Sequence, residues 1–100
     1  MAGDTPQNSE IVTICNKRGL HARASAKFVA LAEAYDADIE VSNTDAGADA
    51  EKVCGTSIMG LMMLAASIGS KICIEATGPQ SADAVNALCD LVNRRFEEDA

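Results

Sequence analysis

A chain of 100 residues with 8 Lys+Arg against 15 Asp+Glu carries a formal charge of -7, and that length allows one domain around one core. A composition 48% hydrophobic and 23% charged is that of a globular protein and excludes a disordered one. An acidic balance with 3% aromatics and no Trp supplies neither phosphate-binding charge nor stacking platforms, which argues against nucleic acid as a partner.

Met1 to Ser9 is polar and reads as a flexible tail, with a single domain over residues 10–100. The tail lacks the basic and apolar blocks of a signal peptide. Glu10 to Asn16 is rich in β-branched residues and puts Val12 and Ile14 on one face, which predicts a strand. Lys17-Arg18-Gly19 makes a turn. From Ala22 to Tyr35 the period lengthens: Ala24, Phe28, Leu31 and Tyr35 share a helical stripe, with Arg23, Lys27 and Glu33 largely off it. Asp36-Ala37 ends that helix. Asp38 to Ser42 alternates Ile39 and Val41, a second strand. Asn43 to Asp49 is a turn-rich link, and Ala50 to Gly55 is a weaker strand around Val53. Ser57 caps a short helix that runs to Ala66. Lys71 to Thr77 alternates Ile72, Ile74 and Ala76, and Gly78-Pro79 stops this fourth strand. Ser81 caps a last helix, with Val85, Leu88, Cys89, Val92 and Phe96 on one stripe.

The order β-α-β-β-α-β-α predicts an α+β fold: a two-layer open-faced sandwich with helices on one face of an antiparallel sheet. The longest apolar run, Ile58 to Ala66, is far short of the ~20 residues a membrane span needs, so no membrane insertion is expected. Cys15, Cys54, Cys73 and Cys89 form no Cys-x-x-Cys pair, and with one histidine they make no metal ligand set. They read as free thiols packed as small core hydrophobes in a reducing cytoplasm.

His21 is the only histidine, so any imidazole chemistry falls to it. It stands just before a predicted helix, beside unpaired N–H groups and the positive dipole end. Lys17, Arg18 and Arg23 surround it, three of the chain's eight cations. A neutral imidazole nitrogen is a nucleophile. A helix N-terminus with an Arg suits a phosphoryl group. The spacing alone leaves two readings open: phosphoryl acceptance on His21, or a surface histidine that merely caps the helix. The second unusual feature is Ser57 to Ala66, where only Gly60 interrupts the apolar run. A short surface helix cannot bury every side, so some of Ile58, Met59, Met62 and Met63 should be exposed as an adaptable binding surface. Burial of all of them under a loop is the plainer alternative.

Gly19-Leu20-His21-Ala22-Arg23-Ala24-Ser25 resembles the active-site motif of the HPr family, the histidine phosphocarriers of the bacterial phosphoenolpyruvate-dependent phosphotransferase system. Thr56 to Leu64 resembles that family's regulatory-serine segment, and Gly69 to Gly78 its last strand. The likeness runs from about Ile11 to Phe96. It implies a four-stranded antiparallel sheet with three helices on one face. It implies that His21 takes a phosphoryl group on Nδ1 from phosphorylated enzyme I and passes it to an enzyme IIA protein, in sugar uptake or in regulation. Arg23 would neutralise phosphoryl oxygens, the backbone N–H groups of Ala22 and Arg23 would help to hold them, and Ile58, Met59 and Met62 would bind partners. Ser57 would be the site of an HPr serine kinase/phosphorylase, or only a cap. The carrier would be a cytoplasmic monomer, with no cofactor and no metal, turning over only with partner enzymes. A regulatory binding module that uses the Met-rich helix without phosphorylation is the rival.

Two positions depart from the family pattern. Ala24 stands where many members have Pro, and it suits a first helical turn while adding one N–H donor. Thr56 stands where many have a basic residue, which weakens recognition of Ser57 by a kinase. The Gly55 to Leu64 wording looks like the nitrogen-related branch of the system.

Overall fold

A computed structural model describes residues 6–99. In chain order the elements are β1 (Asn8–Thr13), α1 (Ala22–Ala32), β2 (Asp38–Asn43), β3 (Lys52–Cys54), α2 (Ile58–Met63), β4 (Lys71–Thr77) and α3 (Ser81–Asn93). Two 3-10 turns, Thr44–Asp49 and Arg95–Glu97, complete the set. The strands pair antiparallel in the order β1-β4-β2-β3. Val12 faces Ile72 across β1 and β4, and Ile39 and Val41 face Ala76 and Ile74 across β2 and β4. All six are buried, whereas their alternate neighbours are exposed or half-buried, Ser42 alone excepted. One face of the sheet is therefore covered and the other is open, as period-two patterning dictates. The covering layer presents Ala24 and Phe28 from α1, Leu61 from α2, and Ala84, Val85, Leu88, Leu91 and Val92 from α3.

Several expected boundaries move. β1 starts at Asn8 rather than Glu10 and ends at Thr13, so the end of the expected loose tail is part of the sheet. Asn8 and Ser9 pair with Ala76 and Glu75, and the Gln7 N–H donates to Ala76 O at 3.0 Å. Backbone pairing needs no apolar side chain once Val12 and Ile14 fix the register. Residues 1–5 of that tail lie outside the described residues. α1 stops at Ala32, because its last turn tightens into Ala34 N–H to Leu31 O and Tyr35 N–H to Ala32 O bonds. β3 shortens to three residues, the link before it closes as a 3-10 turn, and α2 ends at Met63. Ser81 is not a cap. Gln80 occupies that position without a side-chain cap bond, and the Ser81 hydroxyl instead accepts from Asn8 Nδ2 at 2.8 Å. Phe96 lies beyond α3, not on its stripe, yet is fully buried.

The cysteines are also less buried than expected. Cys54 is exposed, and Cys15, Cys73 and Cys89 are half-buried. Cys73 alternates with Ile72 and Ile74 along β4, which turns it to the open face. Burial, with the Glu10 carboxylate nearby, pushes the Cys89 thiol up to about 11, so it stays a protonated packing group.

The loop that leads to His21 is held from three sides. The Gly19 N–H donates to Asn16 O at 3.2 Å, the Leu20 N–H to Ala66 O at 3.0 Å, and the Ser25 hydroxyl to Leu20 O at 3.2 Å. Gly19 has φ +65° and lies so close to the chain after α2 that a Cβ would come 2.5 Å from Ala66 O. Gly19→Ala should therefore lose at least about 2 kcal/mol of stability, from left-handed strain plus a backbone clash. Chemical denaturation reads this directly, and a midpoint equal to wild type would show that the loop can back away from Ala66.

Candidate functional site

His21 is the N-cap of α1, and its ring has a distinct partner at each nitrogen. Nδ1 accepts from the Arg23 backbone N–H at 3.3 Å. Nε2 meets the Glu98 carboxylate at 2.5 Å. The side chain is 22% exposed, so the ring is held and still reachable. Ala22 opens the helix, and its N–H lies in the first turn, where helix geometry leaves donors unpaired. Nδ1 thus sits beside backbone donors and the positive end of α1, a setting that favours an anion.

The sequence-predicted cations do converge. Lys17, Arg18 and Arg23 line an open groove of about 570 Å³. Lys27, one helical turn beyond Arg23, joins them. The same groove also receives Glu97, Glu98 and Asp99 from the chain's end. Four cations therefore face three carboxylates, and the site is less positive than the local sequence suggests. Burial pushes the Glu98 carboxyl up, but hydrogen bonds from Asn16 and His21, the His21 charge and Arg18 outweigh it and hold the group below its ordinary value. Local sequence reading found neither Glu98, 77 positions from His21, nor Asn16. The only available signals were an asparagine just before the turn and a run of acids at the C-terminus.

The second predicted feature lies alongside. Ser57 caps α2, its hydroxyl accepting from the Gly60 N–H at 3.0 Å. Leu61 is the inward residue of the helix, while Ile58, Met59, Met62 and Met63 are all exposed, Met59 at 73% and Met63 at 77%. Ile68, which the sequence did not single out, is exposed as well. The Leu20 N–H bond to Ala66 and the Gly19 contact join the histidine loop to the segment leaving α2, and α1 packs on α2. An imidazole at a helix tip therefore stands next to an apolar surface on one side and a charged groove on the other. Among the described residues no cluster of three or more His, Cys, Asp or Glu could hold a metal, and no helix is long and apolar enough to cross a membrane.

The family profile PTS-HPr, described as the PTS HPr component phosphorylation site, matches residues 8–94. The chain belongs to the HPr family of phosphocarriers. It is 45% identical over 87 residues to phosphocarrier protein HPr of Pseudomonas aeruginosa, covering 87% of this chain and 92% of that one. It is 40% identical over 90 residues to phosphocarrier protein NPr of Escherichia coli, covering 90% of this chain and 96% of that one. An HPr crystal structure from Thermoanaerobacter tengcongensis superposes with a TM-score of 0.83 at 36% identity, over 94% of this chain and 100% of that one. The HPr fold, an open antiparallel sheet under three helices, is the one the residue pattern predicts.

Exposure of the Met-rich surface makes a direct prediction. Met59→Glu should slow phosphoryl exchange with partner proteins about tenfold or more, because a charge would have to be desolvated in an apolar contact. The fold should be unaffected, since the side chain is already in solvent and an acid in the first turn of α2 complements the dipole. Unchanged transfer kinetics at unchanged melting temperature would remove Met59 from the partner surface.

Proposed function

We propose that His21 is the phosphoryl-accepting residue of this phosphotransferase-system carrier, receiving the group from phosphorylated enzyme I and passing it to an enzyme IIA protein. The observation that carries the proposal is the disposition of Nδ1. It is the ring nitrogen that faces the first-turn N–H groups of α1, within reach of the exposed Arg23. As phosphorus approaches Nδ1, the Arg23 N–H would give up that nitrogen and turn to a phosphoryl oxygen, with the Ala22 N–H and the Arg23 guanidinium completing the hold. Partial exposure at a helix tip keeps the bound state shallow, and a relay needs that for onward transfer. Ile58, Met59 and Met62 supply the partner surface, and the relay operates in the cytoplasm. The acceptor is an enzyme IIA protein of the sugar or the nitrogen-related branch, and relatives named HPr and NPr both match the chain.

The test is mass spectrometry after incubation with phosphoenolpyruvate and enzyme I. Gain of one acid-labile, base-stable phosphoryl group on His21 is the expected result. No gain, with enzyme I itself phosphorylated, would favour a binding module that uses the Met-rich helix alone.

Ser57 takes a regulatory role in the same proposal, through an HPr serine kinase/phosphorylase. A phosphate on its hydroxyl adds about -1.5 to -2 charges at the N-terminus of α2 and at the rim of the apolar surface. Ser57→Asp, which keeps a good cap and adds charge, should leave the melting temperature equal or slightly higher and slow uptake from enzyme I at least about fivefold. Uptake as fast as wild type would leave Ser57 a cap and nothing more.

A further inference from the structure

The chain's end comes back to His21 by a strained route. After α3, Arg95, Phe96 and Glu97 take φ values of 58°, 53° and 64°. Left-handed backbone is unfavourable for non-glycine residues. The fold holds the turn by burying Phe96 completely and by a bond from Lys27 Nζ to Phe96 O at 2.8 Å. The turn delivers Glu98 to the histidine. Its Oε2 meets His21 Nε2, and its Oε1 accepts from Asn16 Nδ2 at 2.9 Å. The Asn16 amide also donates to Gly19 O at 2.9 Å, at the turn before the histidine. Asn16 is fully buried, and its Oδ1 has no partner among the described residues. An orphaned buried acceptor loses the hydrogen bond that water would give it. Strain and an orphaned atom are thus both tolerated around one carboxylate.

The hydrogen-bond roles follow from chemistry. An ionised carboxylate only accepts, so the proton between it and His21 belongs to Nε2. The Arg23 N–H only donates, so Nδ1 carries a lone pair. The two contacts select the same tautomer.

We propose that Glu98 is a positioning residue for phosphoryl transfer at His21: it keeps Nε2 protonated, aims the Nδ1 lone pair, and balances the charge the ring acquires. The proposal rests on His21 as the phosphoryl acceptor. In the step, the Nδ1–P bond forms as the bond from phosphorus to the donor's leaving atom breaks, and that atom takes the bonding pair. No proton leaves His21. The ring keeps Nε2–H and carries a positive charge, which the Glu98 carboxylate faces through that proton. In onward transfer the N–P pair returns to Nδ1 and the ring is neutral again. A carboxylate behind a histidine fixes the tautomer and stabilises the charged ring in the same way in hydrolytic triads. Lys17, Arg18, Arg23 and Lys27, with Glu97 and Asp99, share the groove with Glu98.

Single-turnover uptake from phosphorylated enzyme I should be measured for wild type, Glu98→Ala and Glu98→Gln, together with proton–nitrogen NMR of the His21 ring. Glu98→Ala should be slower by about tenfold or more and lose the exchange-protected Nε2–H signal. Glu98→Gln, whose amide oxygen still accepts, should keep that signal but recover only part of the rate, because the charge is gone. Wild type without uptake overturns the phosphocarrier role and this proposal with it. Normal uptake by wild type with Glu98→Ala within twofold overturns the role of Glu98 alone. So do equal slowing and equal melting-temperature loss in both variants, which would mark a structural contact only.

Discussion

His21→Ala is expected to take up no measurable phosphoryl group from enzyme I while remaining folded. His21 is the only imidazole in the chain, so no second residue can form the acid-labile, base-stable product. The ring also caps α1, through a 3.3 Å bond from the Arg23 N–H to Nδ1. Alanine caps poorly, at a cost of about 0.5–2 kcal/mol, against a total stability on the order of 5–15 kcal/mol for a domain of this kind. The melting temperature should fall by roughly 4–8 °C per kcal/mol lost, a visible change that still leaves the domain intact at assay temperature. Mass spectrometry of the product and a thermal melt of the same sample separate the two effects. Appreciable relay by folded His21→Ala protein would sink the assignment of His21.

The second large effect is expected at Arg23. Its side chain is exposed and lines the groove, so it contributes little to folding, and truncation should change stability by no more than about 0.5 kcal/mol. In the transfer step the moving phosphoryl group spreads charge over three oxygens, and catalysis is mostly positioning plus electrostatics. Removing one positioned donor of this kind costs about 10²–10³ in rate. Arg23→Ala should therefore slow single-turnover uptake by about two orders of magnitude at nearly unchanged melting temperature. Arg18→Ala is the control. Arg18 shares the groove with Glu98, which holds Nε2 rather than Nδ1, so its loss should perturb the rate less. If Arg23→Ala stays within a few-fold of wild type, the guanidinium does not contact the phosphoryl oxygens.

The residues that announced themselves in the sequence are those whose partners are local. Period-two alternation in Ile39–Val41 and Ile72–Ala76 and the helical stripe through Ala24 and Phe28 predict the layers, because each element must bury one face. Ser57 caps α2 because its partner, the Gly60 N–H, is three residues away. The His21 position follows from the same local logic, a residue just before a helix with cations on both sides. Where side-chain pattern and backbone pairing diverge, the sequence misleads. Asn8 and Ser9 join β1 through main-chain bonds that their polar side chains do not advertise. Ser81 has the composition of a cap but meets Asn8 across the fold.

By itself, then, the sequence determined the order of elements, the covered and open faces of the sheet, the exposed Met-rich helix and the histidine at a helix tip, all properties of neighbours within about two turns or one strand. Only the tertiary structure decided what stands behind the histidine. A left-handed turn at Arg95–Glu97, held by the burial of Phe96, returns Glu98 across 77 positions to Nε2 and fills the cationic groove with carboxylates. No local pattern encodes that meeting, because it depends on how α3 lies against β1 and α1 and on where Phe96 finds space in the core.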